Sequence, residues 1–195
     1  MLGAKKRAVA GAIAFALVCF GDAREAAAEE GGPYVHLFGA LTAGEALRFN
    51  NPYRLSTQLG QTGRSVSLAA PYVDFATAAL VGSPTFLHHG VHVHVSTALT
   101  GISQSVYTPS YITALRRRDF SAYARIGAPI VLGPQTTTGL ELGMGGLYYL
   151  RSGFALTAEL GESVFYGAAT REVAATFIPL TYLQAGVAID FEVLP

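Results

Sequence analysis

The sequence predicts an all-β chain, an antiparallel up-and-down transmembrane β-barrel of about eight strands. Three observations carry this expectation. The last stretch, Gln184 to Val193, alternates: Ala185, Val187, Ile189, Phe191 and Val193 share one face, and Gln184, Gly186, Ala188, Asp190 and Glu192 share the other. That is the period of a strand with one apolar and one polar or small side. The N-terminus carries a basic cluster followed by a short apolar run, the pattern of an export signal. The whole chain is 51% hydrophobic and only 13% charged, yet holds no long apolar run after the signal. The apolar content must then be spread over alternating segments, which argues against a helical membrane protein.

Lys5, Lys6 and Arg7 form the basic part of the signal, and Ala8 to Phe20 its apolar part. That run is shorter than the ~20 residues a spanning helix needs. Small residues at Ala26 to Ala28 put cleavage before Glu29, giving a signal peptide over 1–28 and a barrel domain over 29–195. The one cysteine, Cys19, falls in the signal, so the mature chain has no disulfide to hold it together. Nine arginines against eleven carboxylates leave the mature chain at about −2 with histidine neutral. Bulk charge of this size does not recruit nucleic acid.

The first strand is expected over Tyr34 to Leu41, with Val35, Leu37 and Leu41 on one face and His36, Phe38 and Ala40 on the other. Thr42 to Ser65, rich in Asn, Gly, Gln and Arg, reads as a long loop. A second strand runs from Val66 to Val81, with Pro71 near an end or at a bulge. Gly82-Ser83-Pro84 starts a turn, and a third strand covers His89 to Ile102. Tyr107-Thr108-Pro109 reads as loop, Tyr111 to Arg116 as a fourth strand and Arg117 to Asp119 as a turn. Phe120 to Ala128 is the fifth strand and Pro129 to Thr137 a loop. Thr138 to Leu150 and Phe154 to Tyr166 form a hairpin about Arg151-Ser152-Gly153. Gly167 to Phe177 is a loop, and the eighth strand closes at Val193. Connections alternate between longer and shorter, with one exception near Gly82 to His88.

No water satisfies backbone groups inside a bilayer, so strands cross it only as a closed sheet. The apolar face then points to lipid and the small or polar face lines the lumen. On that inner face fall Gly127, Gly143, Gly145 and Gly161, together with Asp74, Arg125, Glu141, Glu159 and Asp190. An eight-strand barrel has little room beyond its side chains. Its inner charges are therefore expected to pair, Arg125 with Glu141, Glu159 or both, in one ion network. The alternative, a soluble sandwich, leaves these charges solvated and unpaired. Tyr and Phe near strand ends, among them Tyr72, Tyr107, Phe120, Tyr148, Tyr149, Phe154, Phe165, Tyr166, Tyr182 and Phe191, are expected to form interfacial girdles.

The order polar-x-Gly-x-x-apolar-x-aromatic at Gln184, Gly186, Ile189 and Phe191 resembles the C-terminal assembly signal of bacterial outer-membrane β-barrels. With the eight alternating segments, the chain from Tyr34 to Val193 resembles the small barrels that include the OmpA transmembrane domain and OmpX. One departure is the ending Val193-Leu194-Pro195, which leaves Phe191 as the terminal aromatic. The resemblance implies the bacterial outer membrane as location, insertion by the barrel-assembly machinery, and lipid and lipopolysaccharide as surroundings. The chain is expected to be a monomer without a cofactor. The resemblance leaves function open, because a fold of this kind serves as anchor, adhesin, enzyme or narrow pore.

Four sets of residues are candidates for chemistry. All five histidines fall at His36 and in the run His88, His89, His92 and His94. His92 and His94 share the inner face, and His36 is a candidate third metal ligand. His94-Val95-Ser96 is similar to the His-x-Ser-Asn of outer-membrane lipid A deacylases, with Thr97 in place of the Asn and the pair expected to face inward, nearer the periplasm. Glu141 and Glu159 could suggest a glycosidase pair, but Arg125 on the same face argues for a structural role. Arg48, Tyr53, Arg54 and Arg64 are expected in the first loop, where arginine beside tyrosine suits anionic sugar or phosphate. The expected role is structural or surface-binding through outer loops. The alternatives are a small channel or transporter accessory, and then a lipid-modifying enzyme.

Overall fold

The computed structural model describes residues 34–49, 66–82, 87–101, 104–117, 119–133, 136–166 and 177–193. They form β1 (Tyr34–Phe49), β2 (Val66–Leu68), β3 (Tyr72–Gly82), β4 (Leu87–Ala98), β5 (Ser105–Arg117), β6 (Phe120–Gly127), β7 (Ile130–Val131), β8 (Thr137–Arg151), β9 (Phe154–Tyr166) and β10 (Phe177–Val193). The order runs β10-β9-β8-β6-β5-β4-β3-β1, and β10 then pairs β1. All pairings are antiparallel, and the sheet closes on itself. β2 extends the line of β3 along β1, and β7 extends the line of β6 between β5 and β8. The barrel therefore has eight walls. The expected signal peptide over 1–28 lies outside the described residues.

Alternation decides which side chains face out. Leu41, Phe75, Val91, Leu140, Leu142, Leu160, Leu183 and Phe191 are exposed, whereas His36, Asp74, His92, His94, Arg125, Glu141 and Glu159 are buried. A soluble protein hides the first group and wets the second. This barrel does the reverse, as a sheet that passes through hydrocarbon must. Exposed aromatics gather at both ends: Phe49, Tyr107, Tyr166 and Phe177 at one, and Phe120, Tyr148, Phe154 and Phe191 at the other. Phe165 and Tyr182, expected in a girdle, are instead buried on the inner face, while Tyr72 and Tyr149 are half-buried there. Their parity, rather than their nearness to a strand end, sets their direction.

Several boundaries differ from the expected ones, each for a tertiary reason. β1 continues eight residues past Leu41, through a stretch that reads locally as loop. There it has partners on both sides, with Gly44 opposite Gln184 and Tyr72, and Arg48 opposite Leu180 and Ser67. The second strand is broken at Ala69 to Pro71 into β2 and β3. The third starts at Leu87 and ends at Ala98, four residues short of Ile102. β5 absorbs the expected loop at Tyr107 to Pro109. Pro109 lacks a donor, but its carbonyl accepts from the Ala128 N–H at 3.0 Å, so both its backbone groups face the break between β6 and β7. The missing hydrogen bond falls where the ladder is already interrupted.

β1, β4, β7 and β9 end, and β2, β5, β8 and β10 begin, at one end of the barrel; β3, β5 and β8 end, and β4, β6 and β9 begin, at the other, where β1 also starts and β10 finishes. The second end thus has the shorter connections, as short periplasmic turns do. Gly153 takes a φ of 78° in the turn between β8 and β9, a conformation a Cβ would strain. The lipid-facing reading of the outer surface predicts a depth-dependent response to charge. Leu160→Arg, at the middle of β9, is expected to cost about 2–4 kcal/mol, against about 0–1 kcal/mol for Val193→Arg at the barrel's end. Reversible urea unfolding in lipid checks the difference.

Candidate functional site

The inner faces of β3 through β10 converge on one buried polar layer at mid-height. Arg125 on β6 is its centre. Its Nη1 lies 2.6 Å from Glu141 on β8, and its Nη2 lies 2.7 Å from Glu159 on β9. Nε donates to both Glu159 oxygens at 3.1 Å, and Nη2 also donates to the Tyr182 hydroxyl at 2.9 Å. This is a forked guanidinium–carboxylate contact with little water about it, a geometry that arginine supports and lysine does not. Tyr182 donates in turn to Glu159 at 2.8 Å.

The layer extends from Glu141 to β4 and β3. His94 Nε2 is 3.0 Å from Glu141, and His94 Nδ1 is 2.6 Å from Asp74. Ser96 donates to Asp74 at 2.6 Å, and Ser163 donates to the second Glu141 oxygen at 2.6 Å. Asp74, His94, Glu141, Arg125, Glu159 and Tyr182 therefore form one continuous chain across the lumen. Glycines make room for it. Gly143 and Gly161 face each other across β8 and β9. A Cβ on Gly143 would come within 3.0 Å of Glu159, Tyr182 and Arg125, and one on Gly161 would meet the Tyr182 ring and hydroxyl. A methyl at either position would displace part of the layer.

Asp190 does not join this network. It lies at the short-turn end, 3.3 Å from His36 Nδ1 and 3.2 Å from Arg116 Nη1, and accepts from the Tyr149 hydroxyl at 2.7 Å. The reason is register. Glu159 pairs with Gln184, and Asp190 is six residues further along β10, roughly 20 Å at the rise of a strand. Shared parity put Asp190 on the inner face but said nothing of its depth. Arg116 Nη1 is also 3.0 Å from His36 Nδ1, and its guanidinium stacks 5.1 Å from the Tyr149 ring.

The histidines expected to share a metal do not converge. His92 and His94 both point inward, with ring centroids 5.5 Å apart. His94, however, meets a carboxylate at each ring nitrogen. His36 sits on β1, separated from β4 by β3, and packs edge-on against His88 at 4.7 Å. Among the described residues no group of three His, Cys, Asp or Glu side chains could hold a metal ion. Ser96 sends its proton to Asp74 and not to His94, so the His-x-Ser pair has no nucleophile-to-base contact here. Glu141 and Glu159 are joined by Arg125 instead of flanking an open cleft.

Arg48, expected in the first loop, belongs to β1 and is fully buried on its inner face, because β1 is longer than its local sequence suggests. Tyr53, Arg54 and Arg64 lie outside the described residues. Of the assembly-signal residues, Gln184 and Gly186 face inward and Ile189 and Phe191 outward, on the strand that pairs both β9 and β1.

Above the polar layer, toward the longer connections, the lumen opens into a cup of about 130 Å³. Ala46, Ala69, Val106, Val131, Phe165, Ile178 and Leu180 form its walls, and His94, Ser96, Glu141, Ser163, Tyr182 and Gln184 its floor. Below the layer, a cavity of about 20 Å³ borders the His36–Arg116–Asp190 cluster. Sequence reasoning did not anticipate the cup, Arg116 or the inward Tyr182. The alternation that places Tyr182 beside Gln184 was the one available signal for the last of these.

No protein-family model matches the chain, and no curated protein matches it. Among solved structures it is similar to Neisserial surface protein A, at 14% identity over 83% of this chain and all of that one, with a TM-score of 0.48. It is also similar to Ail, the attachment invasion locus protein of Yersinia pestis (12% identity, 81% and 98% of the two chains, TM-score 0.49). A third similar structure is the outer membrane protein AlkL in lipid bilayers (12% identity, 87% and 96%, TM-score 0.48).

Removing the central cation tests what the layer does for stability. Arg125→Ala leaves Glu141 and Glu159 facing each other without their shared partner and is expected to destabilise the barrel by about 3–5 kcal/mol. Adding Glu159→Gln should recover part of the loss. The temperature at which the folded form disappears from unboiled gels reads both effects.

Proposed function

We propose that the protein is a monomeric outer-membrane β-barrel that binds at its outer end and does not serve as an open pore. The observation that carries this reading is a buried, hydrogen-bonded ion layer that closes the lumen at mid-height beneath a cup open on the long-connection side. A conducting barrel needs a continuous wet path, and an eight-strand lumen filled with paired side chains offers none. A cup on a rigid wall, at the end where the longer connections join the strands, is in contrast the usual form of a binding site. On this reading the segment 1–28 directs export, the terminal strand directs insertion by the barrel-assembly machinery, and lipid and lipopolysaccharide surround the outer half.

A second reading is a small channel or transporter accessory. It draws support from the cavities on both sides of the layer. Two measurements separate the readings. Fractionation with boiled and unboiled gel samples should give a membrane protein whose mobility shifts on heating; a soluble protein without that shift would sink both. In planar bilayers the wild-type protein should show no steady conductance. Steady opening of the wild-type protein, altered in Arg125→Ala, would favour the channel.

A further inference from the structure

The floor of the outer cup is chemically one-sided around Glu141. Ser96 and Ser163 each have a single proton to donate, and both direct it at a carboxylate, Asp74 and Glu141 respectively. Tyr182 directs its own at Glu159. A hydroxyl that has given up its proton to one partner shows only lone pairs to the next. These three hydroxyls, together with Glu141, line the cup. Arg125, the fixed cation beneath, does not line it, and its N–H groups are directed at Glu141, Glu159, Ser110 and Tyr182. Around Glu141 these hydroxyls therefore offer acceptors, and the floor's donors lie with the Gln184 amide.

Charge points the same way. The layer beneath the cup holds three carboxylates, Asp74, Glu141 and Glu159, against the one guanidinium of Arg125. Even with His94 protonated between Asp74 and Glu141, one negative charge is left over. A buried excess of this kind favours a cation from outside, provided that the cation can also be hydrogen-bonded. The walls above are apolar, and the volume of about 130 Å³ is close to that of cavities, about 150 Å³, known to hold benzene.

We propose that the cup binds a small, benzene-sized apolar molecule bearing one ammonium group. The ammonium's three donors meet the Glu141 carboxylate and the lone pairs of Ser163 and Ser96, and the apolar body rests against Phe165, Ile178 and Leu180. A carboxylate head would face lone pairs and like charge. A neutral alcohol would supply one donor and no charge. Arg48 is buried one inward position beyond Ala46 on β1, on the mouth side of the cup. The proposal rests on the reading of the outer end as a binding site and names the chemistry of that site.

The test is titration of the full-length mature protein in lipid nanodiscs with three probes of one shape: 2-phenylethylamine, 2-phenylethanol and phenylacetate. The amine is expected to bind about ten-fold or more tightly than either of the others, the scale of one charge-assisted hydrogen bond. Glu141→Gln should remove that preference while leaving the alcohol unaffected. Ser163→Ala, which keeps the charge, should weaken the amine selectively, and it decides the matter if Glu141→Gln does not fold. Ala46 and Ala98 both line the cup, so Ala46→Phe and Ala98→Phe fill it and should abolish binding of all three probes. Equal affinity for the three, or tightest binding of phenylacetate, overturns the proposal. So does the absence of binding by wild-type protein that keeps its heat-dependent mobility, an outcome that leaves the barrel in the membrane. Loss of that mobility shift in the wild-type protein would instead strike the proposed function itself.

Discussion

The pairing of β1 with β10, from Val35 opposite Val193 to Arg48 opposite Leu180, is the constraint on which the rest of this structure depends. An open sheet would leave the donors and acceptors of both edge strands without partners, and hydrocarbon supplies none. Once the ends meet, every wall has a neighbour on each side and the sheet acquires an inside and an outside. Period two then sorts each strand between them. Leu37 and Leu41 face out from β1, and His36, Ala40 and Thr42 face in. The same closure keeps β1 extended as far as Phe49, past a local sequence better suited to a loop.

Closure also sets the scale of the interior. Eight walls enclose a lumen about as wide as the side chains that point into it. A charge placed there has little water to screen it and must find its counterpart among groups from other walls. The forked contact of Arg125 with Glu159, and its second contact with Glu141, join three adjacent walls. His94 carries the connection on to Asp74. The layer fits only because other inward positions are empty. Gly143 and Gly161 leave the space that Tyr182 and the Arg125 head group occupy, and Tyr123 lies over Gly145. Glycine weakens a strand locally, but here it allows a polar layer to pack at close range.

Dividing the lumen in this way gives its halves different chemistry. At the short-turn end, His36, Arg116, Tyr149 and Asp190 hold one another above the turns. At the other end, apolar walls stand over a floor whose hydroxyl protons are already committed. A layer that closes the barrel thus also creates the floor of a cup, and the direction of three hydroxyl protons sets which head group that floor suits. Stability and recognition draw on the same residues, so a substitution at Glu141 is felt in both.

What the residues determined by themselves is parity. Alternation alone puts His92, His94, Arg125, Glu141 and Glu159 on one face and their apolar neighbours on the other, because side-chain direction along a strand repeats every two residues whatever it pairs with. The lipid-facing sense of the apolar side was legible from the terminal strand and the sparse charge. Depth was not. Asp74 and Asp190 share the inner face, yet one lies in the central layer and the other near the turns, since depth follows from register summed around the walls. Pro109 looked like a strand breaker, but its missing donor falls against the break at the end of the neighbouring strand. Arg48 looked like a loop residue until β2 and β10 were found beside it. Tyr182 looked like an interfacial aromatic until Gly161 was found to leave its hydroxyl a place inside. In each case the deciding neighbour comes from another wall, and only the closed tertiary structure brings it into contact.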